Sequence, residues 1–349
     1  MNITTVGIDL AKLVFQVHGV NERGKTMLRK AFKRADLIKF FANLAPCLIG
    51  MEACGGAHFW ARKLSEFGHT VKLMAPQFVK PYVKTNKNDA RDAEAICEAV
   101  ARPNMRFVPI KNVEQQALLG LHRARQGFVW ARTAQSNQIR GLLAEFGLVM
   151  PQGMGALQQK IPQILEDAEN GLPGISRALF ARLFDHLREL DRQVKELEAQ
   201  IKAWHRQSAA SQRLEAVPGI GPLTASALVA SVGDAKSFKN GRQLAAWLGL
   251  VPHQDSSGGK ERLLGISKRG DTYLRTLLIH GARSVLSALK RRAGQTAEGW
   301  LARLAARRNP NIAAVALANK NARIVWALLV HERDYQSGYG TPLAVQAPA

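Results

Sequence analysis

The sequence predicts an α/β domain followed by a mainly helical remainder. Three observations predict it. Short β-branched segments crowd the first fifty residues, and helix and strand patterns then alternate to about residue 100. From residue 112 onward the apolar residues recur at helical spacing. The composition is that of a chain that builds cores, with 46% hydrophobic and 22% charged residues. A length of 349 residues suits two or three such domains.

Residues 3–9 and 13–19 read as two short strands around a tight Leu10-Ala11-Lys12 turn, and residues 25–32 supply a third. A short helix is expected from Asp36 to Leu44. Residues 47–52 form a continuous apolar run that ends on Glu52, as a buried parallel strand does. A helical stretch, His58 to Phe67, follows Gly55-Gly56. A strand over 69–75 and a helix-rich segment from Pro76 to Ala101 close the unit. Three strands in succession, then helix and strand in turn, give a mixed sheet in the order of the ribonuclease-H-like fold.

The domain boundaries follow from these patterns. Residues 1–110 form the mixed sheet domain, 111–208 a helical connector, 209–333 a mainly helical domain, and 334–349 a Gly/Pro/Ala-rich tail expected to be disordered. The connector begins with a helical stretch at 112–147, and its Pro/Gly-containing part, 147–174, reads as a connector or a short-helix region. From Phe180 the apolar residues fall at Leu183, Leu187, Leu190, Val194, Leu197, Ile201 and Trp204, alternately three and four apart. Such a heptad seam predicts an intermolecular coiled coil; the plainer alternative is a helix packed on its own domain.

Charge narrows the partner. Lys plus Arg number 49 against 27 Asp plus Glu, a net +22. Residues 1–102 carry 16 basic and 9 acidic residues, 103–212 carry 14 and 10, and 213–349 carry 19 and 8, so the last segment holds half the excess. The basic residues are spread along helical patterns, which suits a folded surface tracking phosphates. No run approaches 18 apolar residues and no secretory signal is visible, so neither a membrane span nor export is expected. Cys47, Cys54 and Cys97 are odd in number and lack CxxC spacing, which fits a reducing cytoplasm.

Four acids stand out by position. Asp9 ends the first strand in Val6-Gly7-Ile8-Asp9, and Glu52 ends the buried run. Asp89 and Asp92 are spaced i, i+3, on one face of a helix. An acid at a buried strand end is costly without a compensating cation. Carboxylates are hard ligands for Mg²⁺ or Mn²⁺, and two such ions clamp the oxygens of a phosphoryl transfer. Singly, each acid is as well explained by a turn cap or a solvated face.

Two further segments carry candidate contacts. Pro218-Gly219-Ile220-Gly221 lies between two helical stretches and resembles a helix-hairpin-helix motif, whose backbone N–H groups and helix N-terminus meet a phosphate. Residues 255–259 are a Gly/Ser-rich break containing Ser256 and Ser257. Lys260, Arg262, Lys268, Arg269 and Arg275 follow and suit phosphate neutralisation. Read from residues alone, the two serines are better explained as flexible-loop positions, because no activating base adjoins them.

Taken together, the motifs GID, ME, NKNDARDAEAI, VPGIG and SSGGKERLLGISKRGDTYLR resemble those of the transposases of insertion-sequence family 110, subgroup 1111, over nearly the whole chain. The resemblance implies a DNA recombinase with a RuvC-like domain and a catalytic-serine domain. It assigns the DEDD acidic set to Asp9, Glu52, Asp89 and Asp92, holding Mg²⁺, and the nucleophile to Ser257 with Ser256 as the fallback. It further implies donor and target DNA as substrates, a structured bridge RNA as guide, a tetramer of two dimers, and a cytoplasmic, nucleoid-associated protein. A metal-dependent nuclease of the Holliday-junction-resolvase type, without a serine nucleophile, and a non-catalytic scaffold are the competing readings. A metabolic enzyme is disfavoured by the lack of a GxGxxG or P-loop match.

Overall fold

The computed structural model describes residues 2–83, 89–291 and 299–337. Asn86 to Asn88 of the NKNDARDAEAI segment and the tail from 338 onward lie outside the described residues. The chain divides into two compact units, residues 1–115 and 116–349.

The first unit is built on one sheet. Strands β1 (Thr5–Asp9), β2 (Val14–Val20) and β3 (Thr26–Lys33) form an antiparallel meander. Helix α1 (Arg34–Ala42) leads to β4 (Leu48–Glu52), and α2 (Ala57–Glu66) leads to β5 (Thr70–Met74). β4 runs parallel to both β1 and β5. A short helix α3 (Pro76–Val79) precedes α4 (Asp89–Val100), and β6 (Phe107–Val108) closes the sheet antiparallel to β5. The order is β3-β2-β1-β4-β5-β6. This mixed sheet fits the ribonuclease-H-like fold, and the two-residue β6 is an addition to the five strands the sequence predicts.

The core explains the strand patterns. Val6, Ile8, Ile49, Met51 and Leu73 are fully buried, as central strands covered on both faces require. On the α2 side Phe15 and Trp60 meet edge to face, with centroids 5.0 Å apart. On the other side α4 lies on β1 and β4 and contributes Ala93, Ile96, Cys97 and Val100 to the interior.

The second unit is mostly helical. α5 (Val113–Ala144) and α7 (Gly174–Gln207) are long, and α6 (Met154–Glu166) is the short helix that the 147–174 stretch allows. α8 (Ala209–Glu215) and α9 (Pro222–Val232) flank the Pro218–Gly221 turn, followed by α10 (Gly241–Trp247). Strands β7 (Pro252–Gln254) and β8 (Leu263–Ile266) pair antiparallel, so part of the expected flexible break is a β-hairpin. α11 (Thr272–Arg291), α12 (Trp300–Arg307) and α13 (Pro310–His331) complete the unit.

The heptad seam of α7 faces its own chain. Phe180, Phe184 and Leu187 share a core with Ile139 and Leu143 of α5 and Leu157 and Ile161 of α6. Ile201 packs with Leu118 of α5 and Ala230 of α9. Arg125 pairs with Glu198, and Arg132 and Lys195 pair with Asp191. Within the chain the seam thus packs on α5, α6 and α9, as the plainer of the two readings has it. α13 is long and apolar enough to cross a membrane by length and composition. Its Ala313, Ala314, Leu317, Ala318, Ala322 and Val325 are buried in the core formed with α9, α10 and α11, so it serves as a core helix.

Candidate active site

Asp9 and Glu52 end two adjacent parallel strands. The register pairs Ile8 with Met51, and each acid is the next residue along its strand. Both sit at the carboxyl edge of the sheet, where open α/β sheets place their ligands. Asp89 and Asp92 come to the same edge on the first turn of α4.

α4 reaches that position because two glycines let it. Gly7 is paired with Gly50 in the β1–β4 register. A Cβ on Gly7 would stand 2.2 Å from the Ala93 carbonyl oxygen and 2.4 Å from the Cys97 nitrogen. A Cβ on Gly50 would stand 2.7 Å from Val100 Cβ. The helix therefore packs with its backbone against the strand. Each glycine precedes its strand-end acid by two residues, as Gly7-Ile8-Asp9 and Gly50-Met51-Glu52. That repeated Gly-x-acid spacing is readable in the sequence at both strand ends.

Ligand oxygens of Asp9, Asp89 and Asp92 lie within 4.8 Å of one another. Asp9 and Asp92 are half-buried and Asp89 is exposed. Glu52 stands at the neighbouring strand end, outside this convergent group. Partial desolvation pushes up the thiol of Cys54, an otherwise exposed residue, and the Glu52 and Asp9 carboxylates push it further, which marks the negative field at this edge. Three carboxylates in such proximity repel unless a cation offsets them. Oxygen-only donors suit a hard divalent ion.

The serine segment is ordered by its own backbone. Asp255 N–H donates to the Arg262 carbonyl at 2.9 Å and Lys260 N–H to the Ser257 carbonyl at 3.0 Å. Gly258 and Gly259 have φ of +55° and +74°, the paired left-handed conformations that a two-residue hairpin turn demands. Ser256 Oγ accepts from Arg262 N–H and from Gln254 Nε2, both at 3.1 Å. The Ser257 hydroxyl has no hydrogen bond among the described residues and stands exposed at the corner of the tip. Lys260, Arg262, Lys268 and Arg269 are exposed around it.

Arg275 and Ile220 have other tasks than the sequence suggests. Arg275 is buried; its guanidinium donates to the Leu248 and Arg269 carbonyls, both at 3.1 Å, and to Thr272 Oγ1 at 3.2 Å. It clamps the base of the hairpin and does not face a ligand. There the backbones touch: a Cβ on Gly249 would lie 2.1 Å from the Arg269 carbonyl oxygen, and one on Gly270 1.8 Å from that of Trp247. Ile220 is buried in the helical core, so within the Pro218–Gly221 turn only the backbone and the exposed Pro218 and Gly221 face outward. Gly219 adopts φ +88° against the backbone of Gly281, and Asn321 Nδ2 donates to the Pro218 carbonyl at 2.9 Å.

Comparison with known proteins decides what the two units belong to. Residues 6–147 match a transposase family defined by the DEDD set of IS110 elements, and residues 211–297 match the family described as "Transposase IS116/IS110/IS902 family". A "Probable family 20 transposase" of Pseudomonas aeruginosa is 54% identical over 97% of this chain and 100% of its own. The chain belongs to the IS110 family of transposases. The "Transposase for insertion sequence element IS1111A" of Coxiella burnetii is 46% identical over 97% of this transposase and 92% of its own length. The "Transposase for insertion sequence element IS1328" of Yersinia enterocolitica is 45% identical over 94% and 97%. The transposase is thus an enzyme of DNA recombination, and the DEDD transposase domain matched over residues 6–147 suggests a divalent metal ion.

Proposed function

We propose that this transposase cuts and rejoins DNA through Ser257, with Asp9, Glu52, Asp89 and Asp92 holding Mg²⁺, or Mn²⁺ in its place. The observation that carries the reading is the convergence of the Asp9, Asp89 and Asp92 carboxylates on one sheet edge in a chain of this family. The ion would neutralise charge developing on phosphoryl oxygens. Asp9 and Glu52 would be fixed by their strands, and Asp89 and Asp92 by the helix seated on Gly7 and Gly50.

The covalent step falls to the hairpin. Ser257 Oγ attacks a backbone phosphorus. The Oγ–P bond forms and the bond to the 3′ oxygen breaks. The serine proton ends on that 3′ hydroxyl, and the protein is left joined to the DNA 5′ end. Reversal onto a second strand's 3′ hydroxyl rejoins the DNA without loss of bond energy. Ser257 is favoured over Ser256 because the Ser256 oxygen already accepts two hydrogen bonds that shape the loop. Lys260, Arg262, Lys268 and Arg269 would neutralise the phosphates nearby. Pro218 to Gly221 and the start of α9 would act as a helix-hairpin-helix contact, which positions a backbone without reading sequence.

Sequence choice is assigned to pairing with a bridge RNA, the protein holding backbones of donor and target within a tetramer of two dimers. The basic excess spread over all three sequence segments supports that division of labour. The test is a suicide-substrate assay on DNA carrying the element's ends. Ser257→Ala should abolish the protein–DNA adduct while Ser256→Ala keeps it, and Asp92→Asn should abolish cutting. Cutting that survives Ser257→Ala would instead favour a resolvase-like nuclease using only the carboxylates.

A further inference from the structure

A cavity of about 370 Å³ opens at the same sheet edge as the acidic cluster, in the first unit. Its lining includes Lys12, Arg34, Cys54, Gly55, Phe15 and Trp60. It adjoins the cluster by chain connectivity: Leu10 in its wall follows Asp9, and Cys54 lies two residues beyond Glu52. Its chemistry is the opposite of the cluster's, because its lining contains two cations and no acidic residue.

Neither cation is consumed by the fold. No ion pair of Lys12 or Arg34 occurs among the described residues. The Arg34 guanidinium lies over the Trp60 ring at 4.9 Å and the Phe59 ring at 5.8 Å, which holds the cation at the mouth of the cavity. Leu10, half-buried, and Ala11, exposed, supply an apolar wall. A Cβ built on Gly55 meets nothing within 4 Å, so the loop after Glu52 leaves open space there. A cavity of this size lies at the lower end of small-ligand sites. Cations, a ring-backed guanidinium and an apolar wall together suit one nucleotide: phosphate on Lys12 and Arg34, sugar or base against the wall.

We propose that this cavity binds the nucleotide next to the phosphate presented to the acidic cluster, with Arg34 and Lys12 as its phosphate contacts. The proposal rests on the acidic cluster being the DNA-cutting site. It gives the site a means of holding a polyanion beside several carboxylates, which the carboxylates themselves disfavour.

Cys54 is an internal reporter, because it is exposed in the lining while Cys47 and Cys97 are buried. The full-length protein would be treated with a maleimide, with and without a saturating short DNA duplex bearing a single-stranded end. DNA should slow Cys54 labelling by about 10-fold. Arg34→Gln and Gly55→Val should each raise the half-saturating DNA concentration for cutting by about 10-fold with little change in maximal rate, and Arg34→Lys should recover much of the loss. Gly55→Val fills the opening without entering the core, so an unchanged melting temperature separates it from misfolding. An unchanged Cys54 labelling rate, with DNA binding established by gel shift, overturns the proposal. The two readings fail separately. Asp92→Asn that still cuts sinks the cutting-site reading even where Cys54 is protected, and an inert Asp92→Asn with Cys54 unprotected sinks the nucleotide cavity alone.

Discussion

Gly7 of β1 stands directly opposite Gly50 of β4, and helix α4 rests on the pair with its own backbone. The geometry of the acidic cluster is therefore a packing problem before it is an electrostatic one. Asp89 and Asp92 approach Asp9 only because nothing projects from two adjacent strand positions.

Gly7→Ala should damage both fold and site. Its Cβ meets backbone atoms of α4, which have no rotamer to yield, so overpacking should cost about 1–3 kcal/mol in urea unfolding. Mn²⁺ should no longer raise the melting temperature, because α4 and its acids are displaced. Gly50→Ala meets a side chain, Val100. Val100→Ala added to Gly50→Ala should therefore restore the Mn²⁺ response, and no such rescue should exist for Gly7→Ala.

Acid should destabilise the helical unit through His122. Its ring is buried between Tyr273 Oη at 3.0 Å and Ser226 Oγ at 3.1 Å, and burial, helped by Arg125, pulls its pKa down to about 4. The unfolded chain binds a proton near pH 6.5 and the folded chain only near pH 4. Stability is thus full above about pH 6.5, falls as the pH drops toward 4, and levels off below, a loss of up to about 3 kcal/mol from this group. Unfolding curves of His122→Gln, measured from pH 7 to 4, should slope less than those of the parent.

Arg275→Lys should loosen the serine hairpin. A lysine carries one ammonium where the guanidinium spans the Leu248 and Arg269 carbonyls. Leaving a buried carbonyl unpaired costs about 1–3 kcal/mol. Protein–DNA adduct formation should fall well below the parent rate, and amide exchange over residues 249–270 should quicken while α13 stays protected.

The α7 seam should prove a stability element and not an assembly element. Leu187 is fully buried against α5 and α6. Leu187→Ala should cost about 2–5 kcal/mol in urea unfolding. Sedimentation of the variant below its unfolding transition should give the oligomeric state of the parent; dissociation there would favour the intermolecular coiled coil.

Much of the first unit was legible because strand patterns are local. Val6-Gly7-Ile8-Asp9 and Leu48-Ile49-Gly50-Met51-Glu52 declare buried strands, and the acids at their ends declare a site. What escaped depends on tertiary context. A heptad seam states that α7 needs a partner without stating whose; α5 and α6 are that partner. Arg275 and Arg269 look alike in sequence, and only the fold buries one and exposes the other. Ser256-Ser257-Gly258-Gly259 reads as flexible because glycine is permissive, yet two successive left-handed glycines make a defined turn. The two-residue β6 carries too little pattern to be seen.

The hairpin that carries Ser257 also fixes how its reach changes over evolutionary time. Side chains on a strand alternate between faces, so inserting one residue into either arm turns the hydroxyl to the opposite side. Inserting one pair in each arm keeps its face and advances it by about 7 Å. The working length of this finger is therefore quantised, and descendants that alter it inherit either a longer finger with the same aim or a hydroxyl turned to the opposite face.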